Sequence, residues 1–327
     1  MLDTARRDVI AIGASAGGFH VLMELAAQLP ADFPAAVLIV LHIGSHPSEL
    51  PKLLSARGPN PVVHPCSGQP LQRGTIYVAP PDHHMLLHGD SIHLSRGPRE
   101  HHARPAIDPL FRSVAIACGS RAIGVVLSGR LDDGTPGAQA IKQCGGLIVV
   151  QDPDDSEQAS MPSSVCENLE VDRCVPRAVL AETLINLVGT PAAAPVDLPA
   201  WLLCEQRVSE GEADPMEDLN RIGKPSVFAC PDCGGVLWEV MDSKPKRFRC
   251  HTGHAFTLRT LEHTQATNTN KALWSAVRAL QERESLLAAL VADHRARRND
   301  DEAARLEAEL KETSQHSARL HEITVEE

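Results

Sequence analysis

Two groups of residues in this 327-residue chain have types and spacings that could do chemistry. The first begins at Ser15, inside Val-Ile-Ala-Ile-Gly-Ala-Ser-Ala-Gly-Gly (residues 9–18), an apolar run that ends in a glycine pair and opens an amphipathic stretch. That pattern predicts a strand, a tight turn and a helix N-terminus. It would raise the Ser15 hydroxyl above the sheet edge with backbone N–H groups nearby, as a serine nucleophile requires. His42 follows the apolar run 36–41, and Asp133 follows a turn after the apolar run 123–127. Sites in open α/β sheets collect at the carboxyl ends of the strands, so the three side chains can meet at one crest. Ser15 would attack, His42 would take its proton, and Asp133 would fix the imidazole tautomer and steady its positive form. The order Ser, His, acid differs from the Ser, acid, His order of α/β-hydrolases. The same glycine-rich turn could instead cradle nucleotide phosphates, but no Lys-Ser/Thr follows the glycines and no acidic residue ends the second strand, where His42 stands.

The second group is Cys230-Pro-Asp-Cys233, followed after sixteen residues by Cys250-His251-Thr252-Gly253-His254, with short strands expected at 236–240 and 247–249. Zinc takes four soft or borderline ligands in a tetrahedron, and two such knuckles at the ends of a β-hairpin supply them. The expected ligands are Cys230, Cys233, Cys250 and His254. His251 is the rival fourth ligand, less suited because its neighbour Cys250 would share the metal. A redox Cys-x-x-Cys or plain buried thiols are the other readings. With four positions filled, the zinc would be structural and would help fold a segment too small to build its own core. No cofactor is expected for catalysis. Lying beyond two linkers from Ser15, the metal is expected to be separable from the chemistry there.

The elements that must position these groups follow from the apolar spacing. Strand candidates at 9–12, 36–41, 62–64, 75–78, 85–88, 91–94, 123–127 and 147–150 alternate with helical stretches at 18–28, 48–56, 109–118, 137–144 and 177–188. This alternation predicts an α/β fold with a doubly wound, mainly parallel sheet, followed by a small zinc-ribbon module and a C-terminal helical hairpin. The domains are expected at 1–190 (catalytic), 191–225 (linker), 226–256 (zinc ribbon) and 257–327 (hairpin). The linker assignment rests on the Pro- and Ala-rich text from 189 to 199 and the acidic text from 209 to 218. In the hairpin, Leu273, Leu280 and Leu287 recur at seven, with Val277 and Val291 between them. Ala303, Leu306, Leu310, Thr313, Ser317 and Leu320 then alternate by three and four. Two antiparallel helices with a narrow apolar seam are expected, packed on each other or offering that seam to a second copy or partner.

A formal charge of −11 argues against broad nucleic-acid binding. No apolar run approaches the roughly 20 residues of a membrane span, and Asp3, Arg6, Arg7 and Asp8 stand where a signal peptide would need an apolar centre. A cytoplasmic location without membrane insertion is expected. The nine cysteines are an odd number, and outside the zinc knuckles they lack disulfide-scaffold spacing, so reduced thiols are expected. His83-His84 and His101-His102 read as cleft walls or surface histidines rather than a second metal site.

At this point the residues resemble the catalytic domain of bacterial chemotaxis receptor methylesterases, the CheB-type protein-glutamate methylesterases. The resemblance is carried by Ile12-Gly13-Ala14-Ser15 with Gly17-Gly18, by His42, by Tyr77-Val78-Ala79-Pro80 with His84-Met85, by Arg104-Pro105 followed by Asp108, Leu110-Phe111 and Ser113-Val114-Ala115, and by Asp133-Gly134. It covers roughly residues 7–188, a domain-sized length. It implies that Ser15 is the nucleophile, His42 the base and Asp133, rather than Asp132, its orienter. Backbone N–H groups at Ala16 and Arg130 would hold the oxyanion. The implied substrate is a methylated glutamate on a receptor's cytoplasmic helix, hydrolysed with release of methanol, and some members also deamidate glutamine. The chain departs from the family pattern at Ala16, where many members have threonine, and at Arg130-Leu131, which replaces the usual Met-Gly. Only eight residues precede the first strand, so control through a phosphoryl-accepting receiver domain is not expected. Two other functions stay open beside the esterase: a signalling adaptor with a drifted core and an interacting zinc and helical tail, and a nucleotide-binding domain.

Overall fold

The computed structural model describes residues 5–43, 46–210, 215–241 and 243–325, so part of the acidic stretch 209–218 lies outside the described residues. The central sheet has seven strands in the order Arg173–Val175, Leu147–Gln151, Ala122–Val126, Val9–Ala14, Ala36–Leu41, Ile76–Val78, Val62–Val63. All neighbouring pairs are parallel. The three middle strands are buried at every residue. They are short runs of Val, Ile, Leu and Ala because helices cover both faces and neither side can be polar. Successive side chains point to opposite faces. Val9 and Ala11 join the layer holding Ile107–Cys118 and Thr135–Gln143, while Ile10 and Ile12 join the layer holding Gly18–Gln28, Leu50–Ser55 and Arg177–Leu187. The doubly wound α/β architecture expected from the alternation is therefore the one observed. Val9–Ala14 is flanked by Ala36–Leu41 on one side and Ala122–Val126 on the other. The chain leaves in both directions from this strand, which makes its carboxyl end the crevice of the sheet.

Segment 191–225 departs from expectation. Instead of a linker it carries the helices Ala200–Glu210 and Pro215–Ile222 and the start of the strand Gly223–Ala229. Leu202, Cys204 and Glu205 are buried, and Ser120 Oγ donates to the Ala193 carbonyl at 2.7 Å. The acidity that suggests a solvated tether is partly internal, since Asp218 is 3% exposed and paired with Arg207, and Glu205 just before that stretch is 2% exposed and paired with Arg247.

Four antiparallel strands follow: Gly223–Ala229, Val236–Val240, Arg247–Cys250 and Ala255–Thr257. Their small core is Leu237, Phe248, Phe256 and Leu261 with Cys230 and Cys250. Every side chain of Arg247–Cys250 is buried. Phe248 and Cys250 face that core, while Arg247 and Arg249 face Glu100, Arg112 and Glu205. Residues 5–261 thus belong to one compact unit, and residues 262–325 to a second. In the second, the remainder of helix Leu258–Ala296 runs antiparallel to Asp300–Val325. Arg283 pairs with Glu309, Arg295 with Glu307, and the Trp274 ring meets His321 edge-on. Leu287, Val291 and Leu306 form the seam, with Leu310 against it, so this hairpin packs on itself. No helix among the described residues is long and apolar enough to cross a membrane.

Candidate active site

Ser15 follows the last residue of Val9–Ala14, and the backbone around it leaves no room for side chains. Gly17 takes φ 80°, a left-handed conformation that glycine adopts freely, and a Cβ there would lie 2.5 Å from Ser128 Oγ. At Gly129 a Cβ would stand 2.9 Å from Ser15 Cβ and 2.0 Å from Met161 Sδ. Ser15 N donates to Ser128 O and Gly18 N to Ser15 O, both at 3.0 Å. These turn amides are used inside the protein and do not face a phosphate, so the nucleotide reading finds no support here.

His42 is carried by the end of the neighbouring strand, its amide donating to Ala14 O at 3.2 Å. Its Nδ1 lies 3.1 Å from Ser15 Oγ and its Nε2 lies 2.8 Å from Asp133 Oδ2. Asp133 accepts two further bonds from backbone amides, Ile107 N at 2.8 Å to Oδ2 and Asp108 N at 3.1 Å to Oδ1. Burial alone would push the Asp133 carboxyl up. The His42 hydrogen bond, the neighbouring His101 and the Ile107 amide outweigh it and hold Asp133 below the usual carboxylate range. The three side chains therefore form one continuous line. A neutral His42 with its proton on Nε2 offers Nδ1 as an acceptor to the Ser15 hydroxyl, the arrangement that activates a serine.

Asp132 turns the other way. Its Oδ1 accepts from Thr257 Oγ1 at 2.7 Å and Thr260 Oγ1 at 2.8 Å. Geometry thus separates the two adjacent aspartates, and only Asp133 reaches His42. Leu131, where the family resemblance implies glycine, still adopts the left-handed backbone at φ 63°. Among the described residues, the amides of Ala16 and Arg130 take no backbone partner, while the Ala16 carbonyl accepts from Ser128 Oγ at 2.8 Å.

The sequence reads His101 as a cleft-wall or surface histidine, and it does line the cleft beside His42, though it is not at the surface. Its side chain is 5% exposed, with Nε2 2.9 Å from Asp108 Oδ2 and 3.8 Å from Asp133 Oδ1. Burial would lower its pKa, but the Asp108 hydrogen bond and the charges of Asp133, Asp108 and Asp132 raise it to about 9. These carboxylates thereby favour the protonated imidazole beside the carboxylate that faces His42. Sequence gave no sign of this, because it depends on two consecutive left-handed residues, His101 at φ 51° and His102 at φ 59°. His84 is the opposite case, lowered by burial and bonded through Nε2 to Pro98 O at 2.9 Å. A cleft of about 420 Å³ opens beside His42, lined also by His46, Asp82, Arg99 and Arg104. Arg104 Nη2 and Nε bind Asp82 Oδ1 at 2.6 and 3.0 Å.

Cys230, Cys233, Cys250 and His254 bring their ligand atoms within 4.8 Å of one another. Cys230 Sγ to His254 Nδ1 is 3.7 Å, Cys233 Sγ to Cys250 Sγ 3.7 Å, and Cys250 Sγ to His254 Nδ1 3.5 Å. A tetrahedron built on zinc–sulfur bonds of about 2.3 Å and zinc–nitrogen bonds of about 2.0 Å has edges of roughly 3.5–3.8 Å. The donor set therefore fits zinc in both chemistry and spacing. His251 is exposed and stands outside this cluster.

The fold is thus a parallel doubly wound α/β sheet with a Ser-His-Asp line at its switch point. A family model described as CheB methylesterase matches residues 10–184, more than half of the sequence, and the chain belongs to that family. Over 194 residues it is 37% identical to a protein-glutamate methylesterase/protein-glutamine glutaminase of Methanosarcina mazei, a match covering 57% of this chain and 53% of that protein. A putative enzyme of the same name from Leptospira interrogans is 36% identical over 182 residues, covering 55% of this chain and 94% of its own. The chain thus spans about half the length of several curated relatives it matches. The crystal structure of the Thermotoga maritima CheB methylesterase catalytic domain superposes with a TM-score of 0.53 at 30% identity, covering 55% of this chain and 98% of that one.

Proposed function

We propose that this protein is a serine esterase that hydrolyses glutamate methyl esters on receptor-type signalling proteins, releasing methanol. The observation that carries the reading is the unbroken line from Ser15 Oγ through His42 to Asp133. Ser15 attacks the ester carbonyl as its proton passes to His42 Nδ1, and Asp133 accepts from His42 Nε2–H and stabilises the imidazolium. Amides at Ala16 and Arg130 hold the oxyanion. His42 then protonates departing methanol and activates the water that releases glutamate. Attack on a glutamine side-chain amide would follow the same steps with ammonia leaving, consistent with the names of the relatives. Cys230, Cys233, Cys250 and His254 would hold a structural zinc.

The test is methanol release from a helical substrate carrying glutamate methyl esters, using the full chain and Ser15→Ala. Turnover by the full chain and its loss by several orders of magnitude in the variant are expected, with unchanged folding. Retention of more than a tenth of the rate by Ser15→Ala would overturn the mechanism.

A further inference from the structure

We infer that the zinc-binding ribbon is a positioning element of the active site: through Thr257 and Thr260 it fixes Asp132 and with it the turn that carries Asp133, so ester hydrolysis depends on a zinc that touches no reacting atom. This reading rests on the proposed esterase activity and adds to it a dependence that the sequence argument had denied.

The strand Ala255–Thr257 reaches both flanks of Asp133. On one flank, the Ala255 carbonyl accepts from the His101 amide at 2.9 Å, and the His101 imidazole lies beside Asp108 and Asp133. On the other, the hydroxyls of Thr257 and of Thr260, in the first turn of the helix that follows the strand, donate to Asp132, the residue before Asp133. Those threonines are 0% and 1% exposed, and Asp132 is 2% exposed, so the bonds are shielded from water. Thr257 Oγ1 also accepts from Thr260 N at 3.1 Å, which locks the two hydroxyls into one arrangement. The anchored turn needs such support, since Leu131 holds a left-handed conformation that costs a non-glycine residue about 1 kcal/mol.

The zinc donors stand next to this strand. His254 directly precedes it, and the Cys250 amide donates to the His254 carbonyl at 3.0 Å. Three sulfurs and an imidazole around one ion would therefore set where Ala255–Thr257 begins. The ribbon cannot slide to compensate, because Arg249 is shared between Glu100 at 3.1 Å and Glu205 at 3.6 Å in a site 1–2% exposed. Undocking would leave buried charges unpaired.

The experiment uses the full chain. Zinc is measured by elemental analysis and stripped with a chelator, and amide hydrogen exchange at residues 130–134 is followed together with ester turnover. One zinc per chain is expected. Stripping should raise exchange at 130–134 at least tenfold and lower kcat at least tenfold with KM within twofold, and added zinc should restore both. Because a stripped ribbon could simply unfold, the double variant Thr257→Val/Thr260→Val provides the second arm. It should keep its zinc yet show the same loss of kcat and of protection, while Thr257→Ser/Thr260→Ser should stay within twofold of wild type. Zinc-free wild-type protein, or exchange and kcat unmoved by stripping or by the valine pair, would overturn the inference. Wild-type protein whose exchange responds to zinc but which releases no methanol would instead overturn the esterase reading and leave the coupling standing.

Discussion

The Ser15–His42–Asp133 line and the cage of Glu100, Arg112, Arg249, Glu205 and Arg247 lie in the same compact unit, and both are polar groups taken largely out of water. They differ at their ends. The line is open, since the His42 side chain remains 20% exposed beside a cleft. In the cage no side chain exceeds 8% exposure, and each charge faces an opposite one. Burial would raise Glu100, yet Arg112 and Arg249 hold it well below the usual carboxylate range. An open line can pass a proton to a substrate. A closed cage can only hold two pieces of chain together, and it is weak evidence for net stability because desolvation offsets much of the attraction.

Asp133→Asn should break the line most severely. The amide disturbs the imidazole tautomer, and turnover should fall about 10⁴-fold, far more than the accompanying loss of about 1–3 kcal/mol in stability from a buried backbone amide left facing an NH2 group; steady-state methanol release and denaturant unfolding would measure the two. Arg112→Met addresses the cage and should behave in the reverse way. Removing one partner of a buried pair costs about 3–5 kcal/mol, readable by denaturant unfolding, and a neutral result would show that the cage contributes no cohesion.

A third experiment sharpens the boundary between the two clusters, at His101. Its folded pKa of about 9 lies above the ordinary value, so its contribution to stability is complete below about pH 6.5 and disappears as pH rises through about 9. The loss should be about 3 kcal/mol across that window, and His101→Gln should flatten it in urea titrations at several pH values. The smallest effect is expected from Leu131→Gly. Relief of the left-handed leucine offers about 1 kcal/mol, offset in part by glycine's larger unfolded-state entropy. The net change in unfolding free energy should be under about 1 kcal/mol, and a large loss would mean that the leucine side chain itself braces the turn.

Asp132 shows where sequence reading stopped. The family resemblance passes over it in favour of Asp133, but its carboxylate is occupied by residues 125 and 128 positions away. The strands were legible because a doubly covered parallel sheet writes itself as short apolar runs, and 36–41 and 18–28 match Ala36–Leu41 and Gly18–Gln28 end to end. Ser15, His42 and Asp133 could be brought to one crest by the same logic. Helix Ala200–Glu210 was not legible, since Glu205 is internal only because Arg247 and Arg249 arrive from another element. Local composition reads such a glutamate as solvated. The 160–168 stretch is likewise not legible as a helix, although Met161 and Val165 are buried in the core on the Ile107–Cys118 face of the sheet.

The four residues Arg247–Cys250 also act as a proof-reader. Side chains alternate along a strand, so a slip of one position would push two guanidinium groups into the ribbon's apolar core and expel a phenyl ring and a prospective metal ligand into a carboxylate cage. Neither error could be tolerated alone, and here they can only occur together. Correct pairing of this one short strand is therefore checked twice, by charge on one face and by sulfur and carbon on the other.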